Sequence, residues 1–277
     1  MILVTGATGN IGRSLLEELR ARGAGPLRGL TRDGARARFP EGVEVREGDL
    51  ADPASLAPAL DGVRSLFLVS RIGSDAGILD AARRAGVEHV VLVSSVTVET
   101  HPHLGPAREN ADVERLVMDS GMAWTVLRPT QFASNALWWA PAIRERGTVR
   151  VPYADTGLPT IHPADIAAVA RVALTGPGHR GRVYALTGPE RVTARQQVAA
   201  IAAALGRTVP LAVIGREEAR RELAEALGAE AADAVLDLTG GDVNDGLLEV
   251  RDTVERVTGS PARPFHHWVA ENVAAFR

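Results

Sequence analysis

The sequence contains no cysteine, which removes disulfides, thiolate nucleophiles and cysteine-ligated zinc together. It contains no lysine either, because all 31 basic residues are arginine. A Schiff-base lysine, a P-loop and a Tyr-x-x-x-Lys pair are thereby excluded. Aromatic residues make up only 4 % of the chain, with four tryptophans and two tyrosines, so any aromatic cluster is a local signal. No uninterrupted apolar stretch approaches the ~18 residues of a membrane span. The first residues run straight into a strand-like segment and a glycine turn; no basic leader precedes them, and no signal peptide is expected. A net charge of −3 gives no basic surface for nucleic acid or anionic lipid. The expectation is a cytoplasmic protein that engages neither nucleic acid nor membrane, as a monomer or a homodimer.

With those classes removed, 277 residues at 45 % hydrophobic and 23 % charged describe a globular chain of one or two domains. Residues 1–5, 26–31, 43–46, 65–70, 89–95 and 124–128 read as six strands. Between them lie helical patterns: Ile11, Leu15, Leu16 and Leu19 share one face, residues 76–85 close on Gly86, and residues 108–120 end at Gly121. Short apolar strands separated by helices call for a parallel sheet with right-handed crossovers. The fold class is α/β, a Rossmann-type doubly wound sheet. Later in the chain, residues 147–152 and 183–186 read as strands. Residues 163–175, 194–205, 217–227, 229–238 and 264–276 read as helices. No linker-like composition separates the halves. The expected division is a nucleotide-binding core over 1–150 and a smaller C-terminal lobe over 151–277, packed on it.

Thr5-Gly6-Ala7-Thr8-Gly9-Asn10-Ile11-Gly12 lies between the first strand and the first helix. Its glycines are spaced G-x-x-G-x-x-G, a variant of the dinucleotide fingerprint with the same physics. One glycine permits a tight turn, one lets the backbone approach a diphosphate, and one lets helix and sheet pack closely. The helix start then presents unpaired N–H groups to the phosphates. Gly6, Thr8, Gly9, Asn10, Ile11 and Gly12 are the expected phosphate site. The end of the second strand, which selects between coenzymes, offers Thr31-Arg32-Asp33. Arg32 suits a 2′-phosphate, worth roughly 1.5–3 kcal/mol or about 10- to 100-fold in favour of NADP(H). Asp33 is the alternative, a ribose partner that leaves NAD(H) possible. After the third strand, Asp49 suits an adenine amino group with Leu50 packed on the ring, or Asp49 is a helix cap. For Asp52, capping is the better reading.

These motifs resemble the NmrA-like branch of the atypical short-chain dehydrogenase/reductase superfamily. The resemblance rests on Val4-Thr5-Gly6-Ala7-Thr8-Gly9-Asn10-Ile11-Gly12, Thr31-Arg32-Asp33, Gly48-Asp49-Leu50-Ala51-Asp52, Val91-Leu92-Val93-Ser94-Ser95 and Thr125-Val126-Leu127-Arg128-Pro129. It continues into the second half at Ile161-His162-Pro163-Ala164-Asp165 and Tyr184-Ala185-Leu186-Thr187-Gly188. The resemblance implies that Ser70, Ser94 and Ser95 border a nicotinamide, with the backbone from Pro129 through Phe132 as the wall behind it. It also implies an NADPH-dependent quinone reductase, a reductase of plant phenolics, or a redox sensor without turnover.

The helix that carries the catalytic pair in classical members has Asn110 and Glu114 at the matching positions. Asparagine can orient a carbonyl but cannot supply a proton, and Glu114 could equally be a solvent-facing charge. His103 and His101, after the fifth strand, are the remaining acid candidates, with a polar surface loop as the alternative. No His/Asp/Glu spacing suits a metal, and no serine stands in a G-x-S-x-G elbow. Gln131, Phe132, Asn135, Trp138 and Trp139 follow the nicotinamide wall and suit a flat aromatic or quinonoid substrate. Alternatively, the two tryptophans fill the core between the lobes. The leading expectation is an NAD(P)H-dependent reductase acting on an apolar quinone or carbonyl. The competing readings are a cofactor-sensing regulator and a non-redox enzyme that isomerises or couples an aromatic substrate.

Overall fold

A computed structural model of the chain describes residues 1–69 and 73–277. β1 (Ile2–Val4), β2 (Leu27–Thr31), β3 (Val43–Glu47), β4 (Ser65–Val69), β5 (His89–Val93) and β6 (Ala123–Pro129) follow in chain order. After the short strands β7 (Val149–Val151) and β8 (Gly157–Leu158) comes β9 (Arg182–Leu186). The main sheet has the order β3-β2-β1-β4-β5-β6-β9, and every pairing in it is parallel. The winding reverses between β1 and β4, which opens a crevice at the carboxyl ends of the strands.

Local sequence explains the layers. β5 (His-Val-Val-Leu-Val) is buried along its whole length, as a central parallel strand covered on both faces must be. β3 (Val-Glu-Val-Arg-Glu) lies at the sheet's edge, where its exposed charges discourage pairing with another chain. Ile11, Leu15, Leu16 and Leu19 of the helix Asn10–Ala21 share one core with Ile166, Val169 and Ala170 of the helix Pro163–Thr175. On the opposite face, Ile78 and Leu79 of the helix Asp75–Arg84 join Val113 and Val117 of the helix Gly105–Met118. That last helix starts three residues before its expected position because Pro106 sits in its first turn, where no N–H is needed.

The division expected at residue 150 does not follow the layers. The helix Pro163–Thr175 and β9 both lie beyond it, yet they belong to the main core and the main sheet. The physical reason is that β6 would otherwise be an open edge, and the chain returns to cover it. The smaller lobe is built from β7 paired parallel with β11 (Leu211–Val213), and β8 paired antiparallel with β10 (Val192–Thr193). It has its own core around Ile143, Ile201, Phe265, Trp268 and Phe276. The helix Ala194–Leu205 opens on a Thr193–Gln196 capping box and closes on Gly206 at φ 67°. Buried ionic contacts tie the tail back. The Asp165 carboxylate accepts from the Arg263 backbone N–H at 2.7 Å and from its guanidinium. No helix among the described residues is long and apolar enough to cross a membrane.

His89, at the start of β5, is only 3 % exposed. The Thr125 hydroxyl donates to the His179 carbonyl at 2.8 Å, so it accepts from His89 Nε2–H at 3.0 Å. That fixes the neutral tautomer. Burial first, then the Arg180 charge, pushes the imidazole down from 6.5 to about 4. Below the unfolded value the unfolded chain binds the extra proton, so stability falls as pH drops from 6.5 towards 4. The expected loss is on the order of 2 kcal/mol, screening allowed for. His89→Gln keeps the donor to Thr125 without the titration. Its melting temperature should fall less than wild type's between about pH 7 and pH 4.5, and equal falls would rule out this role.

Candidate active site

The turn after β1 forms the floor of the crevice. Thr5 N–H donates to Phe67 O at 3.0 Å, and Thr5 Oγ1 accepts from Val69 N–H at 3.1 Å. This side chain clamps β1 to β4 where the winding reverses. Gly6 turns at φ +57°, a left-handed conformation natural only to glycine, and its carbonyl accepts from Gly9 N–H at 2.9 Å. Gly9 is the N-cap of the following helix and offers no side-chain cap, so the first-turn amides of Asn10, Ile11 and Gly12 are left for an outside acceptor. A Cβ on Gly12 would collide with the Gly6 carbonyl and lie 2.8 Å from Ala7 Cα. The helix therefore docks against the turn with no room to spare. This cradle of main-chain amides at a helix start fits a dinucleotide diphosphate. Thr8, Gly9 and Asn10 are exposed on its rim, while the Ile11 side chain goes to the core and leaves only its amide to the site.

At the end of β2, Asp33 is committed locally. Its carboxylate accepts from Arg36 N–H at 3.2 Å and pairs with Arg36 Nε at 3.3 Å. Arg32 is exposed and makes no hydrogen bond or ion pair among the described residues. Asp49 Oδ1 accepts from Ala51 N–H at 3.0 Å, a local turn rather than a helix cap. Asp52 caps the turn Pro53–Leu56 as expected, accepting from Ala54 N–H at 3.2 Å. Leu50 corrects the sequence reading: it is not an adenine platform but packs with Leu30, Leu56 and Ile78 in the core. An aliphatic side chain on the loop between β3 and the turn Pro53–Leu56 gains more from that core than from a solvent-exposed ring. Ser70 lies outside the described residues.

The expected catalytic helix is corrected more sharply. Glu114 is 2 % exposed. Its Oε1 accepts from Ser94 Oγ at 2.6 Å and Arg128 Nε at 2.9 Å, and its Oε2 accepts from Arg128 Nη2 at 2.6 Å. This hydrogen bonding holds the Arg128 guanidinium above its usual value. Glu114 is thus neither a solvent-facing charge nor an acid facing substrate. It is a buried brace joining the ends of β5 and β6, and it turns Ser94 inward too. Asn110 donates to Pro106 O at 2.9 Å, one turn back on its own helix, and is 7 % exposed. His103 is at the surface, 3.4 Å from Asp242 Oδ2. His101 is fully buried between Thr100 Oγ1 at 2.8 Å and the Asp242 carbonyl at 2.6 Å, pinning a distant loop. None of these four lines the cavities described next.

Beyond the carboxyl ends of β5 and β6 lies an inner chamber of about 250 Å³, with Ser95, Thr97, Thr130, Gln131, Phe132 and Asn135 in its wall. The wall is strapped down: Thr130 Oγ1 donates to Pro159 O at 2.6 Å. Ile161 N–H donates to Gln131 O at 2.9 Å, and Ala133 N–H donates to Ile161 O at 2.8 Å. Pro129 is fixed by Val96 N–H, which donates to its carbonyl at 3.0 Å. Gln131, Asn135 and Trp138 also border an outer chamber of about 620 Å³, which Trp139 lines as well. All five residues expected to meet substrate therefore border one chamber or both. The inter-lobe alternative holds in part, since Trp139 packs on the small lobe's core while Trp138 is 58 % exposed. Sequence reading missed Tyr153, Leu158, Val235 and Thr239. Val235 lay in the helical pattern over 229–238, which does not reveal what that helix covers, and Tyr153, Leu158 and Thr239 carried no signal in the sequence.

A family model described as NAD(P)H-binding matches residues 6–177, spanning the cradle, β4 to β6 and the helix Pro163–Thr175. The chain belongs to this NAD(P)H-binding family. It is 42 % identical to a (4-alkanoyl-5-oxo-2,5-dihydrofuran-3-yl)methyl phosphate reductase of Streptomyces griseus, covering 100 % of this chain and 99 % of the relative. It is 37 % identical to an NAD(P)H azoreductase of Xenophilus azovorans, covering 100 % and 99 %. Among solved structures, the NADPH complex of an Escherichia coli NADPH-dependent quinone oxidoreductase superposes with a TM-score of 0.81 at 31 % identity, covering 99 % of each chain. The NmrA-like resemblance stands, and the chain is an NAD(P)H-dependent reductase of this family.

In this reductase, removing half of the buried Glu114–Arg128 pair leaves a cation without its partner, which costs roughly 3–5 kcal/mol at buried sites. With Arg128 partly exposed, Glu114→Gln should lower stability by about 2–3 kcal/mol in chemical denaturation. Protein that remains folded should retain kcat within about threefold. A loss of 100-fold or more in kcat at unchanged stability would instead make Glu114 a proton donor.

Proposed function

We propose that this reductase prefers NADPH and delivers hydride to a flat, conjugated acceptor of the quinone type. The composition of the inner chamber carries the reading. Its polar side chains among the described residues are hydroxyls and amides: Ser95, Thr97, Thr130, Gln131, Asn135 and Thr239. None is an acid in the physiological range. An isolated ketone needs a proton delivered as the hydride arrives, whereas a quinone becomes a stabilised hydroquinone anion that can take its proton from solvent. The acceptors named for the relatives, an alkanoyl-furanone methyl phosphate, an azo compound and a quinone, share an electron-poor conjugated system.

Bound in the cradle, a reduced nicotinamide supplies the hydride. The chain's residues do the rest. The amides at Asn10–Gly12 and the helix start hold negative charge, and Arg32 offers a free guanidinium for a 2′-phosphate. The Asp33 carboxylate already accepts from the Arg36 backbone N–H at 3.2 Å, which makes Arg32 the better-placed group for the coenzyme's ribose end. Gln131 Oε1 is buried without a donor among the described residues, so this amide oxygen is open to a ligand at the chamber wall, beside Asn135. The two amides orient the acceptor's oxygens, while Phe132, Leu158 and Trp138 flank its ring and exclude water. Orientation at van der Waals distance is the main source of acceleration in such a site.

Two measurements test this. Arg32→Ala should raise KM for NADPH about 10- to 100-fold and leave NADH within about twofold; equal losses would remove Arg32 from coenzyme selection. With menadione as acceptor, wild-type enzyme should oxidise NADPH with a kcat that varies less than about threefold between pH 6 and 8. Absence of oxidation would overturn the quinone assignment, and a steep titration near neutrality would reveal an acid in the chamber.

A further inference from the structure

We infer that the substrate is bipartite, with a flat acceptor head in the inner chamber and an uncharged apolar tail in the outer one. This rests on the quinone-type reading above and extends it to the part of the substrate that does not react. The two chambers share Gln131, Asn135, Trp138, Leu158, Val235 and Thr239, so they are neighbouring compartments with a common neck. The inner one, at about 250 Å³, falls below the ~300–1,000 Å³ usual for drug-sized ligands. It suits one or two fused rings and little more. The outer one, at about 620 Å³, is more than twice as large and lies away from the ends of β5 and β6. A substrate that is only a head would leave that space without a role.

The walls identify the tail's chemistry. Trp139, Ala142, Val151, Ile214, Ala219 and Leu223 give the outer chamber an apolar surface. The charged side chains in its lining are Arg146, Arg150, Glu222 and Glu225, two of each sign. Arg150 is already paired with Glu218, and with Glu222 at 3.1 Å. An ionic tail would find no surplus of either sign, whereas an alkyl or aryl tail finds apolar contact over most of the wall. The roof is made for this enclosure. The helices Arg216–Leu227 and Ala229–Leu236 are clasped by Arg220 on Asp233 at 2.6 and 2.9 Å. Arg216 reaches Asp237 at 2.8 Å and the Tyr153 hydroxyl at 3.2 Å. Gly240 completes the closure, since a Cβ there would lie 2.7 Å from Tyr153 Cδ2. The roof helices bring Ala219, Leu223 and Val235 over the tail.

The test is a series of 2-alkyl-1,4-benzoquinones with one head and methyl, butyl, hexyl or decyl tails. For wild-type enzyme with NADPH, kcat/KM should rise along the series, by up to about threefold per methylene seated in the outer chamber. The gain from methyl to decyl should be at least about tenfold, carried by KM, because the tail is bound equally in ground and transition states. A flat or falling series overturns the inference while leaving the reductase reading intact, since the methyl compound is still reduced. If no quinone is turned over, the quinone-type reading fails instead, and the tail is judged by quenching of tryptophan fluorescence on titration with the same series. Affinity that rises with chain length then supports the tail, and affinity independent of length overturns it.

Leu223→Trp fills the outer chamber from the roof and should bring the decyl-to-methyl ratio of kcat/KM down towards one. An unchanged ratio in the folded variant, checked by its thermal transition, overturns the assignment. Ile214→Asp, a change on a different wall, should lower the same ratio by placing a charge in the tail's path, and it decides the matter if Leu223→Trp does not fold.

Discussion

The close docking of the first helix against the glycine turn is the constraint on which the rest depends. Gly12 sits where even a methyl group would strike the Gly6 carbonyl and Ala7, so the helix axis runs directly out of the turn. Its first amides, uncapped by any side chain, are thereby aimed into the crevice between β1 and β4. Thr5 adds the second clamp by bonding across to β4. Everything beyond the carboxyl ends of β5 and β6 is placed relative to that fixed point. The smaller chamber opens beside the ends of β5 and β6, and the larger one adjoins it.

Rigidity is distributed unevenly around this point, and the distribution follows charge and burial. The floor of the site is held by buried interactions. Glu114 braces Ser94 and Arg128, and the wall from Pro129 to Ala133 is strapped to residues 159–161. The roof over the outer chamber is held by more exposed ion pairs of Arg150, Arg216 and Arg220. Such pairs contribute little stability each. In the proposed reading, a firm floor positions the reacting atoms while the roof encloses the tail of a substrate larger than the inner chamber.

The absence of lysine takes on chemical meaning in this setting. With no lysine in the chain, the helix Gly105–Met118 carries no Tyr-x-x-x-Lys pair. Its two buried polar residues are engaged within the protein, Asn110 with Pro106 O and Glu114 with Arg128 and Ser94. Among the described residues, the polar side chains of the inner chamber are neutral hydroxyls and amides. Acceptors whose reduced form is stabilised by conjugation suit this wall, as the proposed quinone-type substrate does.

The sequence by itself determined the sheet, the cradle and most of the helices. These depend on short-range physics: glycine spacing, apolar periodicity and capping. The helices Pro163–Thr175 and Ala194–Leu205 accordingly fall at their expected positions, and all five residues proposed for substrate contact border a chamber. Strands of two or three residues such as β8, β10 and β11 are too short for periodicity to show. Only the tertiary structure decided which way a polar or apolar side chain turns. Glu114 and Leu50 look available in sequence but are consumed by partners far along the chain, and β9 joins a sheet whose other strands precede residue 130. The roof over the outer chamber, made of residues 214–239 folded back on residues 131–158, belongs to the same class. Such arrangements are set by long-range packing between segments, and no local pattern of residues encodes them.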